Sequence, residues 1–579
     1  MALFRVWAPD ARTVEVEVHG ARHRLAAGRD EGWWDIDVPA VGAGADYAFV
    51  LDGGEALPDP RSAWQPFGVH GPSRVVDHDA YPWRDTHWRG IPLPGAVVYE
   101  LHVDTFTAEG TFDAAADRLD HLLDLGVDIV ELLPVNAFPG RHGWGYDGVG
   151  LFAVQDAYGG PEGLKRFVDA AHARGLGVAL DVVYNHLGPS GNYLGRFGPY
   201  FTETHTTLWG PAVNFDAEGS DEVRRFVVDN ARMWLRDYHL DGLRLDAVHA
   251  IVDTSATHIL AELADEVAQL SAALGRELFL VAESDLNDPR VVLSPDAGGF
   301  GMDAQWSDDF HHAVHAVLTG ESSGYYVDFG SLDDLAAALT EGYVYAGRHS
   351  VYRRRRHGRP LPRSVPGHRL LGYAQNHDQI GNRARGDRLS QLVGPPRAKV
   401  AAALVLTSPF TPLLFMGEEW GASTPWQYFT DHDDPELARA VRDGRRSEFA
   451  AFGWRPQDVP DPQDPATVER SRLDWAELAK EPHAELLDWH RTLIALRRRV
   501  PELMDGRLDR VVVAYDEDAR WLVVRRGRQA VACNLATERQ TVPVDGTPVT
   551  VLAASAPGAV CGDRDVETDG ESVAIISLA

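Results

Sequence analysis

Asp246 and Glu283 each close a strand-like segment, and their neighbours would set the two carboxyls to opposite charge states. In Gly242-Leu243-Arg244-Leu245-Asp246 the Arg and the Asp stand two apart; on an extended strand such a pair shares a face and can touch. A guanidinium at that distance keeps a carboxylate ionised, as a nucleophile at neutral pH must be. Glu283 follows Leu278-Phe279-Leu280-Val281-Ala282, and a carboxyl against apolar walls favours its protonated form, which suits a general acid. One ionised and one protonated carboxyl flanking a bond is what glycoside cleavage through an oxocarbenium-like transition state requires. Two more runs end in groups that could assist, Asp181-Val182-Val183-Tyr184-Asn185-His186 and Gln375-Asn376-His377-Asp378. Taken singly, an acid at a strand end is more often a helix cap or salt-bridge partner; Asp181 could simply bond a rim, and Asn185 with His186 could anchor a loop. The joint occurrence on four successive segments raises the set above that reading.

Such residues converge only if the elements carrying them end together. From Gly95 onward, apolar strand-like segments alternate with helix-length ones, the rhythm of a parallel sheet covered by helices. Eight strands are expected, over 96–103, 129–135, 178–185, 242–248, 278–283, 301–306, 370–376 and 412–417. The near-continuous apolar character of Val178-Ala179-Leu180-Asp181-Val182-Val183 suits a strand buried on both faces. A (β/α)8 barrel of the α/β class follows, with its site where the C-terminal strand ends meet. Helices are expected over 112–125, 161–174 and 485–500, the second with Pro161 and Glu162 in its first turn. The connections near 187–220 and 324–368 are too long for simple loops and read as functional insertions. Before the barrel, period-two segments at 4–7, 14–18, 34–38 and 47–51 predict an N-terminal β-sandwich over 1–89. A strap rich in Pro and Gly leaves it over 57–77. The barrel is expected over 90–502, and strand patterns at 511–515, 521–525 and 530–534 predict a C-terminal β-domain over 503–579.

Bulk properties narrow the function from outside. A chain of 579 residues exceeds one hydrophobic core. With 55 Lys and Arg against 86 Asp and Glu, the net charge of -31 would repel a phosphate backbone, so no nucleic-acid partner is expected. An acidic surface suits a neutral, hydroxyl-rich ligand without identifying one. Cys533 and Cys561 lack the spacing of a zinc site or a disulfide framework, which predicts a reducing compartment. Residues 1–9 carry no basic and then apolar leader pattern, and no apolar run reaches membrane-spanning length. A cytoplasmic protein without a membrane partner is the expectation.

The segments 181–186, 242–246, 281–283 and 376–378 resemble, in order, the signature regions of the α-amylase superfamily of glycoside hydrolases. The resemblance implies a retaining enzyme with Asp246 as nucleophile, Glu283 as acid/base and Asp378 as transition-state stabiliser. It also implies that Arg244 positions the nucleophile, while His186 and His377 hold hydroxyls of the sugar in subsite −1. Gly143-Trp144-Gly145-Tyr146-Asp147 is similar to the family's loop after strand two, which implies that Tyr146 stacks on that sugar; Trp144 is expected in the core. Phe4-Arg5-Val6-Trp7-Ala8-Pro9 resembles the β-sandwich that precedes the barrel in branching and debranching enzymes. Stretches 142–149, 158–162, 185–193, 303–312, 375–383 and 415–428, with the arm 58–77, are more similar to the maltooligosyltrehalose trehalohydrolase family. That implies hydrolysis of the α-1,4 bond next to the terminal trehalose of maltooligosyl trehalose. No cofactor is implied, and maltooligosyltrehalose synthase is the implied pathway partner. A closed acceptor side would draw its walls from the insertion containing Trp209, from His249, and from the loop with Glu419 and Trp420. Asn185 matches a calcium ligand of many α-amylases, but residues 187–216 lack the acidic cluster that a shell of about six to eight oxygens needs, so no metal is expected. Two rivals stay open: a 1,4-α-glucan branching enzyme with the same carboxyls, and a non-catalytic glucan-binding protein, which would be expected to have lost one of them.

Overall fold

The computed structural model describes residues 2–207, 210–450 and 455–579. Its centre is a closed barrel of eight strands hydrogen-bonded in sequence order, each parallel to the next. These are β1 (Val98–Leu101), β2 (Ile129–Leu132), β3 (Gly177–Val182), β4 (Gly242–Leu245), β5 (Phe279–Ala282), β6 (Ala304–Trp306), β7 (Leu370–Gly372) and β8 (Thr411–Phe415). Every one falls within one residue of its expected segment, though shorter, because pairing stops where the chain turns into the loops at the mouth.

Alternation along these strands sorts residues between two cores. Leu101, Leu132, Leu180, Leu243 and Leu245 face outward and join the main core under the helices. Val98, Ile129, Ala179, Phe279, Ala304, Leu371 and Leu413 face inward and form a separate cluster. The same inward parity, carried toward the C-terminal ends, encloses Glu100, Glu131, Asp181 and Arg244, all at most 2% exposed. One glycine makes the lower layer possible: a Cβ on Gly242 would stand 2.2 Å from the ring of Phe279, its registered partner on β5.

Around the barrel lie α1 (Gly160–His172), α2 (Ser220–Asp237), α3 (Ile259–Leu274), α4 (Asp308–Thr319), α5 (Leu389–Leu406) and α6 (His483–Arg499). The helix expected over 112–125 is instead two pieces, Phe112–Ala116 and Leu119–Leu125. The first piece packs on α1 and the second on α6, so one straight helix could not serve both neighbours. The insertions are ordered rather than bare. One contains the hairpin of Phe201–Thr207 with Gly210–Val213. The other contains a helix, Leu332–Glu341, capped by Ser331, whose hydroxyl accepts from the Asp334 N–H at 3.1 Å.

Residues before the barrel form a three-stranded and a five-stranded antiparallel sheet, and those after it a five-stranded and a three-stranded one. Among the described residues no helix is long and apolar enough to cross a membrane.

Candidate active site

Arg244 is the hub of the mouth. Strand β4 places it inside the barrel at 0% exposure, with its guanidinium carbon 4.1 Å from the centre of the Trp306 ring. One terminal nitrogen donates to Asp181 Oδ2 at 2.6 Å and to Asp246 Oδ1 at 2.8 Å, while the other lies 2.8 Å from Glu283 Oε2. A buried guanidinium is tolerable because these carboxylates surround it.

Asp246 also accepts from Asn185 Nδ2 at 2.7 Å, and the same amide reaches the Asp246 carbonyl at 2.9 Å. Burial alone would raise its pKa, but the charge of Arg244 and the bond from Asn185 outweigh burial and hold it below the usual carboxylate value. Glu283 goes the other way. Burial raises its pKa well above the usual range, and the charges of Asp246 and Asp378 add to this against Arg244. Its Oε2 also accepts from the Ala247 N–H at 2.7 Å. Ala247 takes a left-handed conformation, φ 40° and ψ 51°, which turns that N–H from the end of β4 toward Glu283.

Asp378 begins beyond β7, where Asn376 caps the short helix His377–Gly381 by accepting from the Asp378 N–H at 2.9 Å. Its carboxyl is more open than the other two and accepts from Asn382 Nδ2 at 3.2 Å. His377 Nδ1 is 2.5 Å from Glu100 Oε1, and its Nε2 is 2.8 Å from the Tyr146 hydroxyl, which itself donates to Asp181 Oδ2 at 2.6 Å. Burial opposes a charge on His377, yet Asp378 and Glu100 lift its pKa to about 9, so the ring is an imidazolium at neutral pH. Tyr146 lies nearly parallel to that ring, with centroids 5.2 Å apart. His186 Nε2 is 3.0 Å from the Tyr146 carbonyl. Asp181, pushed up to about 6 by burial against the pull of Arg244, ties Tyr146 to the guanidinium.

The structure thus brings together Asp246, Glu283, Asp378, Arg244, Tyr146, His186 and His377. His249 stands at the rim, 3.9 Å from Asp285 Oδ1, beside a groove of about 760 Å³ that Ile251, His258, Leu286 and Phe300 also line. Trp209 lies outside the described residues. Glu419 is a correction. It is 0% exposed, accepting from the outward-facing Tyr99 hydroxyl at 3.1 Å and lying 2.8 Å from His121 Nε2. The chain after β8 folds back over the outside of the barrel, where Trp420 packs against Trp475, so neither residue walls the mouth.

Sequence reasoning missed Glu100, Asp285, Asp308 and Arg353. Glu100 was findable, being the inward position two beyond Val98, by the parity that picks out Asp181 from Ala179. Arg353 was not: it comes from the second insertion and reaches Asp285 at 2.8 Å only through the fold.

A guanidinium shared at a barrel mouth by one carboxyl held below the usual range and one raised above it suits an α-glycosidase of the α-amylase type, and the comparisons agree. The family model "Alpha amylase, catalytic domain" matches residues 76–198, and a domain of unknown function, DUF3459, matches 506–575. A crystal structure described as a putative α-amylase from Salmonella typhimurium superposes with a TM-score of 0.90 at 40% identity, over 99% of this chain and 97% of that one. The chain is 52% identical to malto-oligosyltrehalose trehalohydrolase of Mycobacterium tuberculosis over 100% of both. It is 54% identical to the enzyme of that name from Arthrobacter ramosus over 99% of both. The chain belongs to the malto-oligosyltrehalose trehalohydrolase family and is a glycoside hydrolase of the α-amylase class. A branching enzyme of a Shewanella species is 26% identical over 91% of this chain and 67% of its own length.

Proposed function

We propose that this enzyme hydrolyses the α-1,4-glucosidic bond next to the terminal trehalose unit of maltooligosyl trehalose and releases trehalose. The observation that carries the reading is full-length identity of 52–54% to enzymes named for that reaction, over a mouth that keeps all three carboxyls. The branching-enzyme reading has only the distant 26% similarity behind it.

In the mechanism proposed, Asp246 attacks the anomeric carbon as Glu283 gives its proton to the leaving oxygen. A glycosyl ester on Asp246 results; water, deprotonated by Glu283, then displaces Asp246 and restores the α configuration. Both carboxyls contact one guanidinium, which supports the close spacing of retaining enzymes, about 5–5.5 Å against roughly 6.5–9.5 Å in inverting ones. Asp378, His377 and His186 would hold ring hydroxyls, and Tyr146 would stack on the sugar. His249 would border the released side, and Trp209 is proposed only on the resemblance of its segment. No cofactor enters these steps.

We divide the chain into a β-sandwich over 1–89, a catalytic barrel over 90–502 and a β-domain over 503–579. A synthase converting the reducing-end maltose unit to trehalose would supply the substrate. The two free cysteines suit a reducing, cytoplasmic location. The test is product analysis with maltopentaosyl trehalose, maltoheptaose and glycogen in parallel. Free trehalose formed far faster than maltoheptaose is cut is the expected result; α-1,6 branches, or equal rates on both oligosaccharides, would overturn it.

A further inference from the structure

One carboxyl at the mouth has no part in the steps above. Asp308 opens α4 two residues past Trp306, the end of β6. Tyr373, the residue after β7, donates its hydroxyl to Asp308 Oδ1 at 2.5 Å. That donor is fixed: Tyr373 is 0% exposed, its ring edge-on to Trp306 at 5.6 Å and stacked on His311 at 5.7 Å. Among the described residues no hydrogen bond occupies the second oxygen of Asp308, and the residue is only half-buried. The neighbouring Asp285 is different, since Arg353 holds it at 2.8 Å and His249 stands 3.9 Å away. Burial and the charges of Asp285 and Asp378 push the Asp308 carboxyl up to about 7, so near neutral pH it can accept or donate a hydrogen bond.

Position decides which sugar it would meet. Tyr146, His186, Arg244 and His377, from the segments after β2, β3 and β7 and from β4 itself, cluster on one side of Glu283 and on the proposed function would surround the ring that is attacked. Glu283 on the end of β5 must face the leaving oxygen, so the released sugar lies beyond Glu283, toward the loops that follow β5 and β6. Asp285 and Asp308 stand there; Arg353 ties Asp285 into an ion pair, whereas among the described residues no cation pairs with Asp308, whose one hydrogen bond comes from Tyr373.

We propose that Asp308, oriented by Tyr373, binds a hydroxyl of the sugar on the leaving side of the scissile bond and thereby sets which group is released. The proposal rests on the function given above for the identity of that sugar. The experiment compares Asp308→Asn and Asp308→Ala with wild type on two substrates, maltopentaosyl trehalose and α-maltosyl fluoride, whose leaving fluoride places no sugar beyond Glu283. Loss of a hydrogen bond to a titrating group should lower kcat/KM on maltopentaosyl trehalose by about 10–100-fold in the Ala variant. On the fluoride the change should stay within about threefold, and inhibition by free trehalose should weaken in parallel. Melting curves identify a variant that has lost its fold, and Asn, which can still accept from Tyr373, guards against that outcome. Equal losses on both substrates would mean that Asp308 acts on the catalytic carboxyls through its charge, and the proposal would fall. It would fall also if neither substrate were affected. Should wild type release no trehalose at all, the proposed function is what fails; the same comparison, made with the glucan it does cut, still decides whether Asp308 touches the leaving sugar.

Discussion

At the scale of single residues, the site works by driving neighbouring carboxyls apart in pKa through one shared cation. Arg244 contacts Asp246 and Glu283 at the same 2.8 Å, so its charge alone does not separate them. The difference comes from what else each accepts and which charges surround it: Asp246 takes the amide of Asn185, while Glu283 feels both Asp246 and Asp378. With Asp246 depressed and Glu283 raised, the active form has the first ionised and the second protonated. Activity should then fall at acid pH as Asp246 protonates and at alkaline pH as Glu283 ionises. Asp246→Asn should lower kcat at least about a thousandfold without unfolding the protein. Glu283→Gln should flatten the alkaline limb of kcat/KM along with cutting the rate. An alkaline limb that persists in the weakened Gln variant would assign it to another acid.

At the scale of elements, the junction after β4 carries the most informative strain. Ala247 sits at φ 40°, where a Cβ costs roughly 1–2 kcal/mol. The turn persists because its N–H donates to Glu283 Oε2 and the next residue, Val248, donates to the Glu283 carbonyl at 3.0 Å. Backbone strain is accepted where it aims a donor at a reacting group. Ala247→Gly removes the steric cost but loosens the unfolded chain by about 0.5–1 kcal/mol. Stability should therefore hold or rise by up to about 1 kcal/mol, with kcat within severalfold, because the N–H remains. Ala247→Pro lacks that N–H and cannot take a positive φ, and should lose both stability and activity. A Gly variant clearly less stable than wild type by thermal melting would show that the methyl contacts outweigh the strain.

Across the whole molecule, the end of the barrel opposite the mouth is tied to the segment leading in from the N-terminal sheets. His172, at the end of α1, bridges Asp85 at 2.8 Å and Asp241 at 3.0 Å, and its side chain is fully buried. Asp241 also accepts from Trp88 Nε1 at 2.7 Å, on the same incoming segment as Asp85. Burial opposes a charge on His172, but its two carboxylate partners outweigh burial and raise its pKa. A raised folded-state pKa gives stability that is full below the unfolded value of about 6.5 and is lost as pH climbs through the folded one. His172→Ala should thus cost about 2–4 kcal/mol near pH 6, where Asp241 loses its cation while Asp85 keeps His239 at 2.8 Å. The deficit should shrink toward pH 9.5. Denaturant or thermal unfolding at the two pH values measures it; an equal deficit at both would attribute the loss to packing alone.

Strand parity and strand-end position are local properties, and for that reason Asp246, Glu283, Arg244 and the eight-strand barrel were legible in the amino-acid sequence. An inward residue two before the end of an apolar run stays inward whatever the loops do, and the barrel then brings all such ends to one mouth. The surrounding sheets were legible for the same reason, since a period of two survives without tertiary context. What the chain does after a strand was not legible. Glu419 and Trp420 follow β8 just as Asp378 follows β7, yet one chain folds back behind the barrel and the other stays at the mouth. Nothing in the spacing distinguishes the two; the bonds of Glu419 to Tyr99 and His121 and the packing of Trp420 on Trp475 do. Nor could the pairing of Arg353 with Asp285 across 68 residues be read from periodicity. The opposite charge states of Asp246 and Glu283 were half legible, because an apolar run signals desolvation, but the single guanidinium between them exists only once β4 and β5 lie side by side.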